Sequence, residues 1–472
     1  MTLKKHQTWT RSDFVGILDI FEPIYNALPE IKQPVKEVPL KKKLIWTGLV
    51  LLLFYIMGNI TLIGLAGVRG DELTNLQIIL ASNIGTLITA GISPIVLSSI
   101  ILQLLVGGKI IDIDLSQPKD KARFQGLQKL FAVALCLFEG VIYVASGMLE
   151  PSEGMFLIVV AQVALGSIIL LYLDELVSKY GIGSGVGLFI AGGVTGSFLW
   201  LVLRPPLIAG DPGGAISQFI GSLATGVNFV ILIPILIAIA IFLIIVFAEG
   251  MHVNIPITMG RKGTGGRFPV KLLYVSNIPV ILAVALFANF QWWSLMSAEL
   301  DLPLIGKGIG WVMGGLAYYT TAPYGLFADI IDRVGAEGMQ GLFFMSGDLF
   351  HALIYMVILI ASCIIFGKFW VEMGGQGAEA VSKQLSGSGM YIPGFRRDSR
   401  IIRQVLDRYI PPIVIIGSIF VALLAGFGDM TLNNLSSGTG ILLTVGIVYR
   451  LYEELAKEQL METNPLFKRF FG

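Results

Sequence analysis

Long runs of apolar residues, broken by short polar stretches, recur along the whole chain. About 20 such residues make a helix that crosses roughly 30 Å of hydrocarbon at 1.5 Å per residue. The runs predict membrane helices near 44–67, 86–106, 126–148, 155–177, 185–203, 229–250, 271–292, 350–371, 410–428 and 440–458. A membrane β-barrel would alternate polar and apolar positions instead. Asp13–Leu28 has a different pattern, with apolar Phe14, Ile17, Leu18 and Phe21 at helical spacing among polar residues. It predicts an amphipathic helix on the membrane surface.

Composition agrees with the pattern. Of the 472 residues, 55% are hydrophobic and only 14% charged, and mean hydropathy is +0.79; soluble chains carry about 25% charged residues. The expected fold class is an all-α polytopic membrane protein. No cleavable signal peptide is expected, since the first 40 residues are charged and lack a compact apolar core. Charge placement sets direction. With both termini in the cytoplasm, all but Arg69, Arg204, Lys307 and Arg333 of the 33 Lys and Arg fall in cytoplasmic segments or at cytoplasmic helix ends. The opposite loops are acidic, with Asp71, Glu72, Glu150, Glu153, Asp211, Glu299 and Asp301. Two loops on the basic side are long, 252–271 and 372–408. They either set topology or form a docking surface for a large anionic partner; their length favours docking.

The chain also resembles itself. GSGVGL at 183–188 matches GTGILL at 438–443, and SPIVL at 93–97 matches IPVIL at 278–282. Each pair joins segments five apart. Five is odd, so the halves cross the membrane in opposite directions, as in inverted repeats whose pathway lies between them. The glycines at the start of the fifth and tenth segments serve either tight helix packing or room beside a cavity. Pro94 and Pro279, each expected to remove a helical hydrogen bond, read either as static kinks or as hinges of a clamshell.

Catalytic chemistry is not evident. His6, His252 and His351 are scattered, no P-loop or GxGxxG occurs, and Cys136 and Cys363 sit in apolar runs as small buried hydrophobes. The protein is not expected to be an enzyme, and no cofactor or metal is expected. Glu139 stands out as an ionisable residue within an apolar segment, with Asn289 and Gln103 as polar companions. It reads as a structural interhelical hydrogen bond or as a proton-coupling site; one carboxylate is thin support for the second.

The stretches YLDELVSKYGIGSGVGLFIAGG (172–193), ARFQGLQK (122–129), YVSNIPVILAVALFANFQ (274–291), AYYTTAPYGL (317–326) and GTGILLTVGIVYR (438–450) resemble the SecY family, the main subunit of the protein-conducting channel, nearest its archaeal and eukaryotic branch. The resemblance runs from about Pro34 to Glu454. It implies ten helices in two inverted five-helix halves, a clamshell around an hourglass pore. By position, the constriction ring falls on Ile92, Val96, Val186, Ile190, Ile281 and Leu443, all aliphatic. Apolar rings disfavour wetting and ions and offer no fixed hydrogen bonds to a passing chain. The plug falls on about 73–84, with Leu73, Leu76, Ile78, Ile79, Leu80 and Ile84. The lateral gate, through which hydrophobic segments reach lipid, includes Pro94, Glu139, Pro279 and Asn289; Leu97 stands where the family often has a threonine. Glu139 is expected to hydrogen-bond Asn289, Ser98 or Ser99 when the gate is closed. Ribosome docking falls on Arg261, Lys262, Arg267 and Arg396. Implied partners are SecE-like and SecG/β-like small subunits, the ribosome, signal sequences, nascent polypeptides and the lipid bilayer, in the cell membrane.

The expected organisation is a cytoplasmic segment 1–40, a first half 41–203, an outer connection 204–228, a second half 229–458 with an outer insertion 291–347 longer than usual for the family, and a cytoplasmic tail 459–472. A solute carrier built on inverted repeats is the rival. Few midplane charges and two long basic loops speak against it, and a lipid scramblase or insertase fits less well still.

Overall fold

The computed structural model describes residues 22–36, 38–68, 81–107, 118–206, 213–226, 229–259, 264–275, 277–299, 315–338, 345–387, 390–391, 399–432 and 437–463, with isolated positions between them. All ten predicted segments are helical. They are α1 (Leu40–Met57), α2 (Ser93–Gly107), α3 (Pro118–Ala145), α4 (Phe156–Tyr180), α5 (Gly185–Leu203), α7 (Ile233–Gly250), α8 (Ile278–Glu299), α10 (Ser346–Met373), α12 (Ser399–Thr431) and α13 (Gly438–Thr463). Shorter helices lie between them: α6 (Ala215–Thr225), α9 (Leu326–Glu337) and α11 (Ala378–Gly387). Among the described residues, six of the long helices, α3, α4, α5, α7, α10 and α12, are long and apolar enough to span a membrane, and α2 and α8 contain shorter apolar stretches. Large apolar side chains such as Leu157, Leu236, Phe247 and Leu353 stand exposed on this bundle, as a surface in contact with lipid requires.

Several element boundaries differ from the sequence reading: α3 and α12 start earlier than expected, at Pro118 and Ser399. The first helix ends at Met57; the residues to 67 turn at Gly58 and enter strand β1 (Leu65–Val68). That strand pairs antiparallel with β2 (Leu149–Pro151). The second and seventh segments start later than expected, at Ser93 and Ile278. Pro94 and Pro279 are therefore the second residues of α2 and α8. In a first helical turn the missing N–H has no partner to lose and the fixed φ suits the helix. The two prolines start helices and kink neither. Prolines within a helix are found instead at Pro411 and Pro412 of α12.

A second small sheet was not foreseen. Strands β3 (His252–Met259) and β4 (Thr264–Lys271) form a hairpin, and β3 also pairs with β5 (Met390–Tyr391), with Thr258 opposite Tyr391. The two long basic loops are thus hydrogen-bonded into one unit.

Candidate functional site

Glycine clusters open α5 and α13, and the structure gives each a packing reason. A Cβ on Gly185 would lie 2.4 Å from the Asp174 Cα on α4, and one on Gly438 would lie 2.2 Å from the Gly428 carbonyl carbon on α12. The caps repeat as well. Ser184 Oγ accepts from the Gly187 N–H at 3.1 Å, and Ser437 Oγ accepts from the Gly440 N–H at 3.2 Å. Asp174 Oδ1 accepts from the Val186 N–H at 2.8 Å, and Asp429 Oδ1 accepts from the Thr439 N–H at 2.9 Å. A side-chain oxygen at a helix start takes up an otherwise orphaned donor. A carboxyl from the preceding helix does this twice, once in each half.

These contacts move the register of the repeat. Ser184–Gly187 corresponds to Ser437–Gly440, two residues away from the match read from glycines alone. In that register Ile190 corresponds to Leu443. In the other repeat pair the sequence register holds: a Cβ on Gly166 would lie 1.7 Å from the Leu87 carbonyl oxygen, and one on Gly417 would lie 2.7 Å from that of Leu272. Leu87 and Leu272 each stand six residues before Ser93 and Ile278, the starts of α2 and α8. Val96 then corresponds to Ile281.

All six residues of the expected ring lie in one apolar cluster. Ile92, Val96, Ile190 and Leu443 are buried there, and Val186 and Ile281 are half-buried against it. Ile92 precedes α2 instead of lying within it, but its carbonyl accepts from the Val96 N–H at 3.0 Å, so the two keep helical spacing. Val186 and Ile190 share the first two turns of α5. Asn277 Nδ2 donates to the Leu442 carbonyl at 2.8 Å, tying the approach to α8 onto α13 beside Leu443.

Asp429 is the most heavily bonded buried acid among the described residues. Besides the Thr439 amide it accepts from Thr439 Oγ1 at 2.6 Å, Ser437 Oγ at 2.8 Å and Tyr355 Oη at 3.2 Å. It joins α10, α12 and the start of α13. Sequence reasoning singled out Glu139 and passed over Asp429 and the buried Glu249. The available signal was an acid at the end of an apolar segment just ahead of a Ser-Gly-x-Gly helix start.

The expected gate partners of Glu139 are corrected. Its Oε1 accepts from Ser93 Oγ at 3.1 Å. Asn289 Nδ2 donates to the Ala285 carbonyl of its own helix at 2.7 Å, Ser98 Oγ donates to the Ile95 carbonyl at 2.7 Å, and Ser99 Oγ accepts from Gln103 Nε2 at 2.8 Å. Ser98 is satisfied within its own helix, whereas Ser93 sits at the start of α2, where an acid is favoured by the helix dipole. The Glu139 bond joins α3 to α2. The seam between α2 and its neighbours α8 and α10, which pack directly against it, is a different contact.

Of the expected plug, Ile84 is half-buried and packs on a cluster around Leu62, Tyr143 and Leu149. Leu73, Leu76, Ile78, Ile79 and Leu80 lie outside the described residues, as do Arg261, Lys262 and Arg396 and the apolar positions of Asp13–Leu28 up to Phe21. Arg267 is on β4 opposite Pro256. From the insertion 291–347, Tyr318 stacks on His351 of α10 at 4.1 Å between ring centres, and its carbonyl meets His351 Nε2 at 2.8 Å.

On another side of the bundle, α5, α7 and α13 enclose an apolar groove of about 510 Å³, lined by Val194, Phe198, Phe242, Val246, Val445 and Tyr452 among others.

The SecY family profile matches residues 86–452. A protein translocase subunit SecY of Methanothermobacter thermautotrophicus is 43% identical over 465 residues, covering 96% of this chain and 98% of that protein. The one from Methanocaldococcus jannaschii is 45% identical over 457 residues, covering 95% and 99%. Among solved structures, a protein-conducting channel superposes with a TM-score of 0.77 at 43% identity, covering 93% of this chain and 98% of that one. Sec61 in the canine ribosome–channel complex from the endoplasmic reticulum superposes with a TM-score of 0.75 at 42% identity, covering 93% and 97%.

Proposed function

The chain belongs to the SecY family of protein translocase subunits, and from that premise we propose how its own residues conduct a polypeptide. Ile92, Val96, Val186, Ile190, Ile281 and Leu443 form the constriction of a pore between two inverted halves. The observation that carries this is that the six, supplied by α2, α5, α8, α13 and the turn ahead of α2, all join the main apolar cluster of the bundle, together with the correspondence of Ile190 to Leu443 and of Val96 to Ile281 under the repeat. Aliphatic side chains exclude water and ions while the pore is idle, and hold a moving chain by no fixed hydrogen bond.

The seam of α2 with α8 and α10 is the lateral gate, bordered by Pro94, Glu139, Pro279 and Asn289. The segment 73–84 is the plug. Termini and basic loops lie in the cytoplasm, where Arg261, Lys262, Arg267 and Arg396 dock ribosomal RNA. The match to Sec61 from a ribosome–channel complex supports that partner. The groove between α5, α7 and α13 has the apolar lining and elongated helical walls that receive a single membrane helix, and a SecE-like subunit is its occupant; a SecG/β-like subunit completes the complex. The chain supplies passage and the partner supplies directionality.

The test is conductance in planar bilayers. Ile190→Ser should raise idle ion leak, because a smaller, more polar ring wets more readily. The same substitution at lipid-facing Leu236 on α7 should leave it unchanged. Equal leak from both variants, or from neither, would overturn the ring assignment.

A further inference from the structure

The connection between α5 and α7 carries α6, an 11-residue helix without an ionisable side chain (AISQFIGSLAT). Ile216, Ile220 and Leu223 fall at i, i+4 and i+7, which is one helix face, and all three are exposed. The other side carries Ser217, Gln218, Gly221 and Ser222. We infer that α6 lies flat in the lipid interface at the end of α5, its Ile216–Ile220–Leu223 face seated in the outermost acyl region of the bilayer.

What fixes its depth is its attachment to α5. The Gly214 N–H donates to the Arg204 carbonyl at 2.7 Å, and Ser217 Oγ donates to the same oxygen at 3.1 Å. A Cβ on Gly214 would lie 2.8–2.9 Å from backbone atoms of Leu201, Val202 and Arg204, so the start of α6 rests on the last turn of α5. That turn marks the membrane boundary from the protein side. Trp200 and Leu203 are exposed there, as side chains of an interfacial belt are. The next residue, Arg204, pairs with Asp211 at 2.7 Å, a charge pair that belongs with water and headgroups. At the other end of α6 the chain passes through Gly226 to exposed Phe229 and into the apolar helix α7. The apolar stripe of α6 is thus continuous with the lipid-facing surfaces of two membrane helices at one level. An amphipathic helix with low charge binds such an interface through buried apolar area, and α6 has no cation that would require anionic lipid.

The test uses nitroxide labels on the full chain with Cys136 and Cys363 replaced by Ala, in phosphatidylcholine bilayers, with and without the co-purified small subunits. A label at Ile220→Cys should collide with oxygen at least about threefold more than with a water-soluble nickel chelate, and a label at Gln218→Cys should show the reverse preference. Adding anionic lipid should change neither. A label at 220 open to the nickel chelate in both preparations would overturn the inference. So would a label at 220 that is shielded from both reagents when the small subunits are present, since a protein would then cover the face. Both positions are exposed, and the label at 218 gives up only the hydrogen bond from Gln218 Nε2 to the Gly213 carbonyl at 3.0 Å.

Discussion

The account places Asp429 as the support on which α13, and with it Leu443, is seated. Replacing it by Ala removes one acceptor shared by four donors: the Thr439 amide, Thr439 Oγ1, Ser437 Oγ and Tyr355 Oη. A buried donor left unmet costs about 1–3 kcal/mol. If water entering the gap satisfies half of them, about 3 kcal/mol is lost, which is roughly 150-fold in the equilibrium that holds the first turn of α13 in place. Hydrogen exchange of the amides from Thr439 to Leu443 reads that equilibrium directly, since local opening sets their exchange. Asp429→Ala should lower their protection by about two orders of magnitude, and Asp429→Asn, which keeps a carbonyl acceptor, by about one. Protection in the apolar middle of α7 should not change, since α7 provides none of the four donors. If the Ala variant keeps wild-type protection at Thr439–Leu443, the carboxyl does not seat the helix and this reasoning fails.

Three further outcomes are expected. Ser93→Ala removes the partner of Glu139 but leaves the seam of α2 with α8 and α10 intact, so signal-sequence hydrophobicity thresholds for opening should shift little; a shift as large as that from Glu139→Leu would mean that the bond itself latches the gate. Arg396→Glu should weaken ribosome pelleting and flatten its salt dependence, because each lost phosphate contact removes counterion release; unchanged binding at low salt rules Arg396 out as an anchor. Glu379, on the exposed face of α11, is held below the ordinary glutamate range by its hydrogen bond to Lys383 and by the charges of Arg403 and Lys383. With a lowered folded-state value, the stabilisation is fully present above the unfolded value and is lost progressively as pH falls from the unfolded value through the folded one, so loosening of α11 from α12, read by hydrogen exchange, should set in as pH falls through the ordinary glutamate range, be complete only below it, and be absent between neutral pH and that range.

The ten helices were legible because each is a long apolar run, and a run needs no partner to be recognised. Contacts between runs were not. Glycine spacing alone placed the repeat at 183–188 and 438–443, but the caps from Ser184 and Ser437 and the carboxyls of Asp174 and Asp429 fix it two residues away. Proline chemistry is the same at a helix start and in its interior, so Pro94 and Pro279 read as kinks until the boundaries at Ser93 and Ile278 were known. The partner of Glu139 depends on how far α3 slides along α2, which no single-helix pattern records. The pairing of β3 with β5 joins residues more than 130 positions apart, and the two-residue strand Met390–Tyr391 is too short to carry a periodic signal. Ring residues were found by family resemblance; their uniform aliphatic character alone would not separate them from the many buried aliphatics around them.

The central claim is that a polypeptide in transit passes through the ring of six. The most direct measurement is disulfide cross-linking of a ribosome-stalled secretory chain carrying one cysteine at its midpoint. Single cysteines are placed in this protein, with Cys136 and Cys363 replaced, at each of Ile92, Val96, Val186, Ile190, Ile281 and Leu443, and at lipid-facing Leu236 and Phe247 of α7. The account predicts adducts at all six ring positions for the same stalled chain and none at the two positions on α7. Adducts confined to one side of the ring, or as strong at Leu236 and Phe247 as at Ile190 and Leu443, would contradict it.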